Sequence, residues 1–457
     1  MRTLSAYVVV LARNRQYTVF QAGWHRWDEH IHRYAHLLMS HGGLLIAPES
    51  VDFPLSGVRV IDMGIFWAGP YAGSLLGAMG ADVIKVESVH HPDGFRFLNV
   101  HPDDGDRYYD RSWLWQSTNL DKRAITLDLR SCKARDIIFR LIAEADILIE
   151  NFSARVLDQL GISYEVLHEL NPGLIVARMP GFGLSGPWRD YVGWAAVFEQ
   201  LSAQAWVTGW EGSSPLVPGG YADPIVAVHS LVAILAALAH LERTGDGQLI
   251  EVSQYEVMVN VTAAQTIEYS LTGVVPGRVG NRSRTLAPQG LYRCADGWIA
   301  LSVRSDHDWV QLSKAVDQPA WVDDPDVQSV DGRRAAHDAI DRVLNAWCAR
   351  LDADQVVTRI TAHGVPVAAV LNSSKPHYSR QLAARGFYEV MEHPLVGTRL
   401  YPRWAMRSPE LLPQAHRRPA PMLGQHNYEV LTELGLSAAE IEDLRSEGLI
   451  GDCLELS

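Results

Sequence analysis

Short apolar runs and a helical pattern follow one another between residues 58 and 87. The runs at 58–62 and 82–87 predict two buried strands, and the apolar spacing of 71–79 predicts a helix that starts beside Pro70. A strand, a helix and a second strand at this spacing form a βαβ unit, which joins two parallel strands by a right-handed crossover. The pattern therefore predicts an α/β fold built on a parallel sheet.

The same alternation continues towards residue 253. Further strands are predicted at 124–129, 147–150, 174–178 and 249–253, and a further helix at 134–144. The longest apolar run, 225–241, is interrupted by polar residues and is shorter than the roughly 20 residues that a membrane-spanning helix needs. We therefore predict a buried core helix at 225–241 and no membrane partner.

The pattern changes after about residue 275. A hairpin turn at 295–297 leads into a strand at 298–303, and helices are predicted at 309–316 and 335–351. We predict a large domain over 55–284, a smaller α+β domain over 285–390 and a C-terminal segment over 391–457 that returns to the large domain. Residues 1–54 predict an N-terminal extension with one amphipathic helix, in which Trp24, Trp27 and Ile31 share a face.

Composition narrows the class of protein. The chain has 457 residues, 47% of them hydrophobic and 20% charged, which is typical of a soluble enzyme. The formal net charge of −13 argues against a nucleic-acid partner, because nucleic acids need a basic surface. Four cysteines lie far apart and predict neither disulfides nor a metal site, so we expect a cytoplasmic protein. His32 and His36 stand one helical turn apart, but no third metal ligand accompanies them.

One carboxylate stands out at the head of the long apolar run. Gly219 and Gly220 allow a free turn, Asp223 follows, and Pro224 precedes the helix. Asp223 either caps the helix, with Pro224 at the first helical position, or is a nucleophile that the helix N-terminus keeps ionised. The local sequence favours the cap, because aspartate caps are common.

Cations, an amide and an aromatic ring gather around the predicted strand ends. Lys122 and Arg123 precede one strand and Arg130 follows it, whereas Asn151 and Phe152 follow the next strand. Parallel sheets bind ligands at the carboxyl ends of their strands, and this mixture suits a ligand with phosphates and a flat base. The alternative for Lys122 and Arg123 is that both are solvated loop charges.

Several motifs, in order along residues 55–450, resemble those of class III CoA-transferases, the CaiB/BaiF family of the formyl-CoA and carnitine CoA-transferase type. They are Leu55-Ser56-Gly57-Val58-Arg59-Val60-Ile61-Asp62, Ala68-Gly69-Pro70, Gly80-Ala81-Asp82-Val83-Ile84-Lys85-Val86-Glu87, Asn119-Leu120-Asp121-Lys122-Arg123, Glu150-Asn151-Phe152, Gly181-Phe182-Gly183, Thr244-Gly245-Asp246-Gly247-Gln248 and Arg418-Pro419-Ala420-Pro421-Met422-Leu423-Gly424-Gln425-His426.

The resemblance implies a fold, an activity and a partner. We expect a Rossmann-like CoA-binding domain, a smaller domain, and a homodimer whose two chains interlock. The implied activity moves CoA from an acyl-CoA donor to a carboxylic acid, with acyl-CoA as a substrate and no permanently bound cofactor.

The resemblance also assigns roles to residues. Asp223 matches the family nucleophile and would carry CoA as an aspartyl-CoA thioester, with backbone N–H groups of the glycine-rich segment stabilising the oxyanions. The implied CoA-binding residues are Ala68, Leu127, Leu129, Arg130, Asn151 and Phe152.

Two alternatives remain at this point, a 2-methylacyl-CoA racemase of the same fold and a non-catalytic CoA-binding homologue. The racemase branch carries Gly-His-Asp where this chain has Gly193-Trp194-Ala195, and without the histidine the acid/base pair for proton abstraction is incomplete. Ala195 also predicts an altered acyl pocket. The tryptophans of this region favour a bulky or aromatic acyl group over formate or oxalate.

Overall fold

The computed structural model describes residues 8–13, 16–20, 53–406 and 416–455. Strands β1 (Val8–Arg13) and β2 (Gln16–Phe20) form an antiparallel pair. The amphipathic helix predicted for residues 1–54 lies outside the described residues.

A parallel six-stranded sheet forms the centre of the first compact unit. Its strands are β3 (Arg59–Asp62), β4 (Asp82–Glu87), β5 (Lys122–Thr126), β6 (Ile147–Glu150), β7 (Ile175–Arg178) and β8 (Leu249–Glu251). They lie in the order β5-β4-β3-β6-β7-β8. The predicted α/β class with a parallel sheet is confirmed. The chain runs outward from β3 on one side and returns to β6 on the other, so the direction of winding reverses between these two strands.

The described α-helices are numbered in chain order. They are α1 (Ala68–Ala78), α2 (Trp113–Thr118), α3 (Cys132–Ala143), α4 (Val156–Gln159), α5 (Tyr164–Leu170), α6 (Ala195–Leu201), α7 (Gln204–Val207), α8 (Ala222–Thr244), α9 (Gln254–Val261), α10 (Ala263–Thr272), α11 (Asp306–Ala315), α12 (Ala320–Asp323), α13 (Val330–Ala335), α14 (His337–Cys348), α15 (Ala353–Thr361), α16 (Arg380–Ala384), α17 (Asn427–Glu433) and α18 (Ala438–Ser446).

Helices cover both faces of the parallel sheet. Ile61 and Leu148 point to one face, where α3, α17 and α18 pack against them. Val60 and Ile147 point to the other face, where α1 and α8 pack. Because successive side chains of a strand alternate between faces, strands that are buried on both sides are largely apolar, which explains the apolar runs of the sequence.

The second compact unit contains an antiparallel sheet of its own. Strands β9 (Gln289–Arg293), β10 (Trp298–Ser302) and β11 (Val367–Ala369) pair in the order β11-β10-β9, and the predicted hairpin turn joins β9 to β10. Helices α11, α14 and α15 supply the apolar side chains that cover it. A hairpin of β12 (Tyr388–His393) and β13 (Gly397–Pro402), which the sequence did not predict, belongs to the first unit.

The compact units have limits of their own. Among the described residues, the first contains those up to 202 together with 219–261 and those from 377 onwards, and the second contains 203–218 and 262–376. Residues 377–390 thus fall in the first unit rather than in the predicted smaller domain. Residues 203–218 and 262–284 fall in the second unit, rather than in the large domain proposed from the sequence. Ion pairs contribute to this, because Arg282 binds Asp338 and Asp341, and Arg284 binds Glu268, all within the second unit.

Helix α8 begins earlier than its apolar run. Tyr221 is the N-cap and makes no side-chain cap bond, so Asp223 lies inside the first turn and Pro224 follows it. The prediction that Asp223 caps the helix is therefore wrong. The prediction of a core helix is correct for one face only, because Val228 and Val232 are 48% and 64% exposed. Within the described residues, α8 is the one helix long and apolar enough to cross a membrane, and 33% of its most apolar stretch is buried.

Candidate active site

The site lies where the winding of the sheet reverses. The loop of residues 64–67 follows β3, and Asn151 follows the neighbouring strand β6. Asn151 Oδ1 accepts a hydrogen bond from the Ile65 N–H (2.7 Å), and its Nδ2 donates to the Ile65 carbonyl (2.8 Å). The Asn151 side chain thus makes the two hydrogen bonds to the Ile65 backbone that a neighbouring strand would otherwise make. Such reversal points are where open parallel sheets form ligand crevices.

Two glycines let the loop turn back on itself. A Cβ at Gly64 would lie 2.8 Å from the Gly69 Cα, and a Cβ at Gly69 would lie 2.9 Å from the Gly64 Cα. These separations are shorter than carbon atoms tolerate, so a side chain at either position would open the loop. The close approach brings the start of α1 towards Asp223.

Asp223 faces this loop from the first turn of α8. The Ala68 N–H donates to Asp223 Oδ1 over 3.3 Å. Burial raises the pKa of Asp223 to about 6, the Ala68 N–H opposes the rise, and the nearby Glu199 carboxylate adds to it. The carboxylate is therefore still mostly ionised at neutral pH, as the sequence predicted, but by a smaller margin than an ordinary aspartate.

Glu199 fixes the segment that leads to Asp223. Its buried carboxylate accepts hydrogen bonds from the N–H groups of Gly219 (2.6 Å), Gly220 (2.8 Å) and Tyr221 (2.7 Å). Both glycines have positive φ angles, of 77° and 121°, which allow their N–H groups to converge. These three donors are therefore occupied, and the expectation that the glycine-rich segment supplies oxyanion donors is wrong for them.

A buried ionic network lies beneath the loop. Lys122 Nζ bonds to Asp62 Oδ2 (2.7 Å) and to the Pro70 carbonyl (2.6 Å), while Asp62 Oδ1 accepts from the Gly64 N–H (2.8 Å). Burial lowers the pKa of Lys122 to about 8, against the opposing effect of Asp62. Lys122 is thus neither a solvated charge nor a free ligand cation.

Arg123 is also engaged within the fold. It binds Asp82 (2.7 Å), Glu429 (2.9 Å) and Glu433 (2.8 Å) and so ties β5 to β4 and α17. Both predictions for Lys122 and Arg123, as ligand-binding cations and as solvated loop charges, are wrong for the same reason. Lys122 and Arg123 belong to β5 itself and are buried by its pairing with β4.

A cavity of about 480 Å³ lies beside Asp223. Asp223, Asn151 and Phe152 line it, and Ala68 contacts Asp223 at its edge. Four of the residues that the sequence assigned to the site therefore come together. Phe66, Trp67 and Trp194 also line the cavity.

The other three assigned residues lie elsewhere in the same unit. Leu127 is buried in the core between the sheet and α3, and Leu129 packs against that core. Arg130 is exposed and its guanidinium binds Asp128 (2.8 Å). None of the three lines the cavity, so their contact with CoA stays a prediction.

Sequence reasoning had a signal for Asp223 but none for the role of Glu199. The glycine pair and the apolar run marked Asp223, whereas Glu199 is one carboxylate in a helix 20 residues upstream of the loop it binds. In the described part of the chain, no group of three or more His, Cys, Asp or Glu side chains could hold a metal ion.

The chain is similar to known proteins over most of its length. The sequence profile of CoA-transferase family III matches residues 55–427. The chain is 34% identical over 404 residues to the alpha subunit of succinyl-CoA–L-malate CoA-transferase from Chloroflexus aurantiacus, covering 87% of this chain and 93% of that protein. It is 32% identical over 388 residues to succinate–glutarate CoA-transferase from Agrobacterium fabrum, covering 83% and 96%.

A solved structure shares the fold. A CaiB/BaiF family protein from Brucella suis superimposes with a TM-score of 0.76 at 28% identity, over 84% of this chain and all of that one. The family resemblance drawn from the sequence motifs is confirmed.

Proposed function

The chain belongs to CoA-transferase family III and is a CoA-transferase, and from this premise we propose that the Asp223 carboxylate is the nucleophile that carries CoA between two acids. The observation that carries the proposal is the position of Asp223, which lines the cavity at the reversal point of the sheet and accepts the Ala68 N–H.

The proposed reaction needs no group beyond the two substrates and this carboxylate. An oxygen of Asp223 attacks the thioester carbonyl of the donor, the C–S bond breaks, and a mixed anhydride and a CoA thiolate result. The thiolate attacks the aspartyl carbonyl of the anhydride and releases the donor acid, which leaves an aspartyl-CoA thioester. The acceptor carboxylate then repeats these steps in reverse, and Asp223 is regenerated.

The surroundings of Asp223 support these steps. Its raised pKa of about 6 makes the carboxylate more basic than an ordinary aspartate while it remains mostly ionised at neutral pH. The Ala68 N–H is directed at Asp223 Oδ1, an oxygen that would bear charge in the tetrahedral intermediates formed by attack on the aspartyl carbonyl. Asn151 and Phe152 form the wall beside it, where the thiol end of CoA would enter, with Leu127, Leu129 and Arg130 assigned to the more distant parts of CoA.

The partners follow from the same premise. The substrates are an acyl-CoA and a carboxylic acid, as for the relatives. A homodimer and a cytoplasmic location complete the proposal. Support for the dimer comes from an apolar groove of about 1060 Å³ along the exposed face of α8, which Val228, Val232 and Trp404 line. A second copy of the chain would cover this groove.

Covalent labelling tests the nucleophile. Incubation with an acyl-CoA, followed by peptide mass spectrometry, should find CoA on the peptide that contains Asp223, and Asp223→Asn should lose both the adduct and at least about 1,000-fold of the transfer rate. Asp190→Asn is the matched control, because Asp190 is exposed and paired with Arg189 outside the cavity wall. Full transfer by Asp223→Asn would refute the assignment.

A further inference from the structure

The cavity beside Asp223 has a wall of aromatic rings. Phe66 packs edge-on against Phe95 (5.8 Å between ring centroids) and against Trp194 (4.6 Å), and Trp67 packs edge-on against Phe95 (5.6 Å). Leu98 completes the wall. Aromatic rings in these arrangements attract one another and leave edges and faces that suit another ring.

Phe66 is held in place by its backbone. Its φ angle of 59° lies in the left-handed region, which is uncommon for a residue with a large side chain. The Phe66 N–H donates to Asp93 Oδ1 (2.9 Å), and the same oxygen accepts from the Phe95 N–H (2.9 Å). One buried carboxylate thus positions two rings of the wall, and the wall exists before any substrate binds.

The charges at the cavity are negative. Asp223 lines it, and Glu199 lies immediately behind the loop that precedes Asp223. Among the described residues that line the cavity there is no Lys, Arg or His. Two buried cations beneath the loop of residues 64–67 are engaged within the fold, since Lys85 binds the Gly64 carbonyl and Asp93, and Lys122 binds Asp62.

From this wall and these charges we infer that the acyl pocket accepts an uncharged aromatic acyl group, carried by a monocarboxylic acid. A second carboxylate on the acyl chain would lie near the Asp223 carboxylate and would meet no cation among the described residues that line the cavity, which disfavours it. The inference rests on the proposed function for the position of the acyl group. It sets this chain apart from the relatives, whose names specify malate and glutarate.

Binding of unreactive analogues tests the inference without relying on catalysis. In S-(3-phenylpropyl)-CoA and S-(3-carboxypropyl)-CoA a thioether replaces the thioester, so Asp223 has no carbonyl to attack. Calorimetry with the wild-type protein should give at least about tenfold tighter binding of the phenylpropyl compound, corresponding to about 1.4 kcal/mol. Equal affinity, tighter binding of the carboxypropyl compound, or no binding of either would overturn the inference.

This result is separable from the test of the nucleophile. A phenylpropyl preference without an adduct on Asp223 would support the pocket and refute the nucleophile. An adduct on Asp223 together with a carboxypropyl preference would support the nucleophile and refute the pocket.

Single-residue variants of the cavity wall test which side chains cause the preference for the phenylpropyl compound. Trp194→Ala should weaken phenylpropyl-CoA binding by about five- to tenfold and change carboxypropyl-CoA binding by less than about twofold. Trp210→Ala is the matched control, because Trp210 is 57% exposed against 58% for Trp194 and does not line the cavity.

Leu98→Arg adds a cation at an exposed position of the wall and should improve carboxypropyl-CoA binding by about tenfold. Equal losses in the Trp194 and Trp210 variants, or no gain in Leu98→Arg, would contradict the inference.

Discussion

At the scale of single residues, Asp223 experiences opposing influences. Burial and the neighbouring Glu199 disfavour its charge, while the Ala68 N–H favours it, and the balance sets the pKa at about 6. At pH 7 a carboxyl group with this pKa is about 90% ionised. The residue is therefore available as a nucleophile and more basic than a solvated aspartate.

The pH dependence of transfer follows from this pKa. Because the protonated carboxyl is not nucleophilic, kcat/KM should be nearly constant above pH 7 and fall about tenfold per pH unit below pH 6. Initial rates between pH 4.5 and 8 (roughly the range in which carboxyl groups and histidine titrate) would measure the profile, with circular dichroism at each pH as the control for folding. A profile that stays nearly flat down to about pH 5 would show that the nucleophile titrates like an ordinary aspartate and that burial does not control it.

Residue chemistry was predictable where it depends on short motifs. Asp223, Asn151 and Phe152 stand in motifs with fixed neighbours, and the structure brings them to one cavity. The left-handed conformation of Phe66 was not predictable, because it depends on the Asp93 carboxylate 27 residues away. Glu199 acts through backbone groups of a distant loop, which leave no trace in the side-chain pattern.

At the scale of elements, the site depends on two loops that polar side chains hold in place. Asn151 and Asp62 bind the loop after β3, and Glu199 binds the loop before α8. The Ala68 N–H links the two, since Ala68 is the first residue of α1, directly after the first loop, and donates to Asp223 on α8. A displacement of either loop would change the distance between the nucleophile and this donor.

Glu199→Gln tests this dependence. The amide keeps one acceptor oxygen but turns an NH₂ group towards backbone N–H donors, so at least one of the three hydrogen bonds is lost. We expect kcat to fall by about 10- to 100-fold with a change in KM for acyl-CoA of less than about threefold, because positioning rather than binding is lost. Steady-state kinetics would separate the two effects.

The control is Glu211→Gln, which removes an exposed carboxylate outside the cavity wall. An unchanged kcat in Glu199→Gln, or a loss confined to KM, would contradict the positioning role.

Elements were predictable where burial imposes one pattern. The strand at 147–150 was predicted with its observed limits, because every residue of β6 is buried. Strand β5 begins two residues before its predicted start, since the polar Lys122 and Arg123 are buried by ion pairs rather than by apolar contacts. The hairpin of β12 and β13 mixes buried and exposed residues without strict alternation, so its sequence carries no strand signal.

At the scale of the whole molecule, α8 serves two surfaces. One face packs on α1 and the parallel sheet, and the other carries Val228 and Val232 at the apolar groove. A helix that packs against apolar surfaces on both sides has an apolar run of this length without periodicity. In the proposed homodimer, the second copy of the chain supplies the second apolar surface.

Val232→Glu tests the assembly. A glutamate at this exposed position of α8 would lose its hydration when the second copy covers the groove, so sedimentation velocity should show a shift from dimer to monomer at micromolar concentration. Val166→Glu is the matched control, because Val166 is an exposed valine on α5 and does not line the groove. A monomeric wild-type protein, or a dimer that Val232→Glu leaves intact, would refute the proposal.

Hydrogen bonds from three backbone N–H groups to Glu199 govern how the loop before α8 opens. Gly219, Gly220 and Tyr221 lie outside regular secondary structure, where segments usually open at a small cost in free energy. Here all three hydrogen bonds end on the buried Glu199 carboxylate. Its charge would be left without these hydrogen-bond donors if a substantial part of the loop moved away. The segment should therefore open cooperatively or remain closed, and this irregular loop shares the local stability of the core.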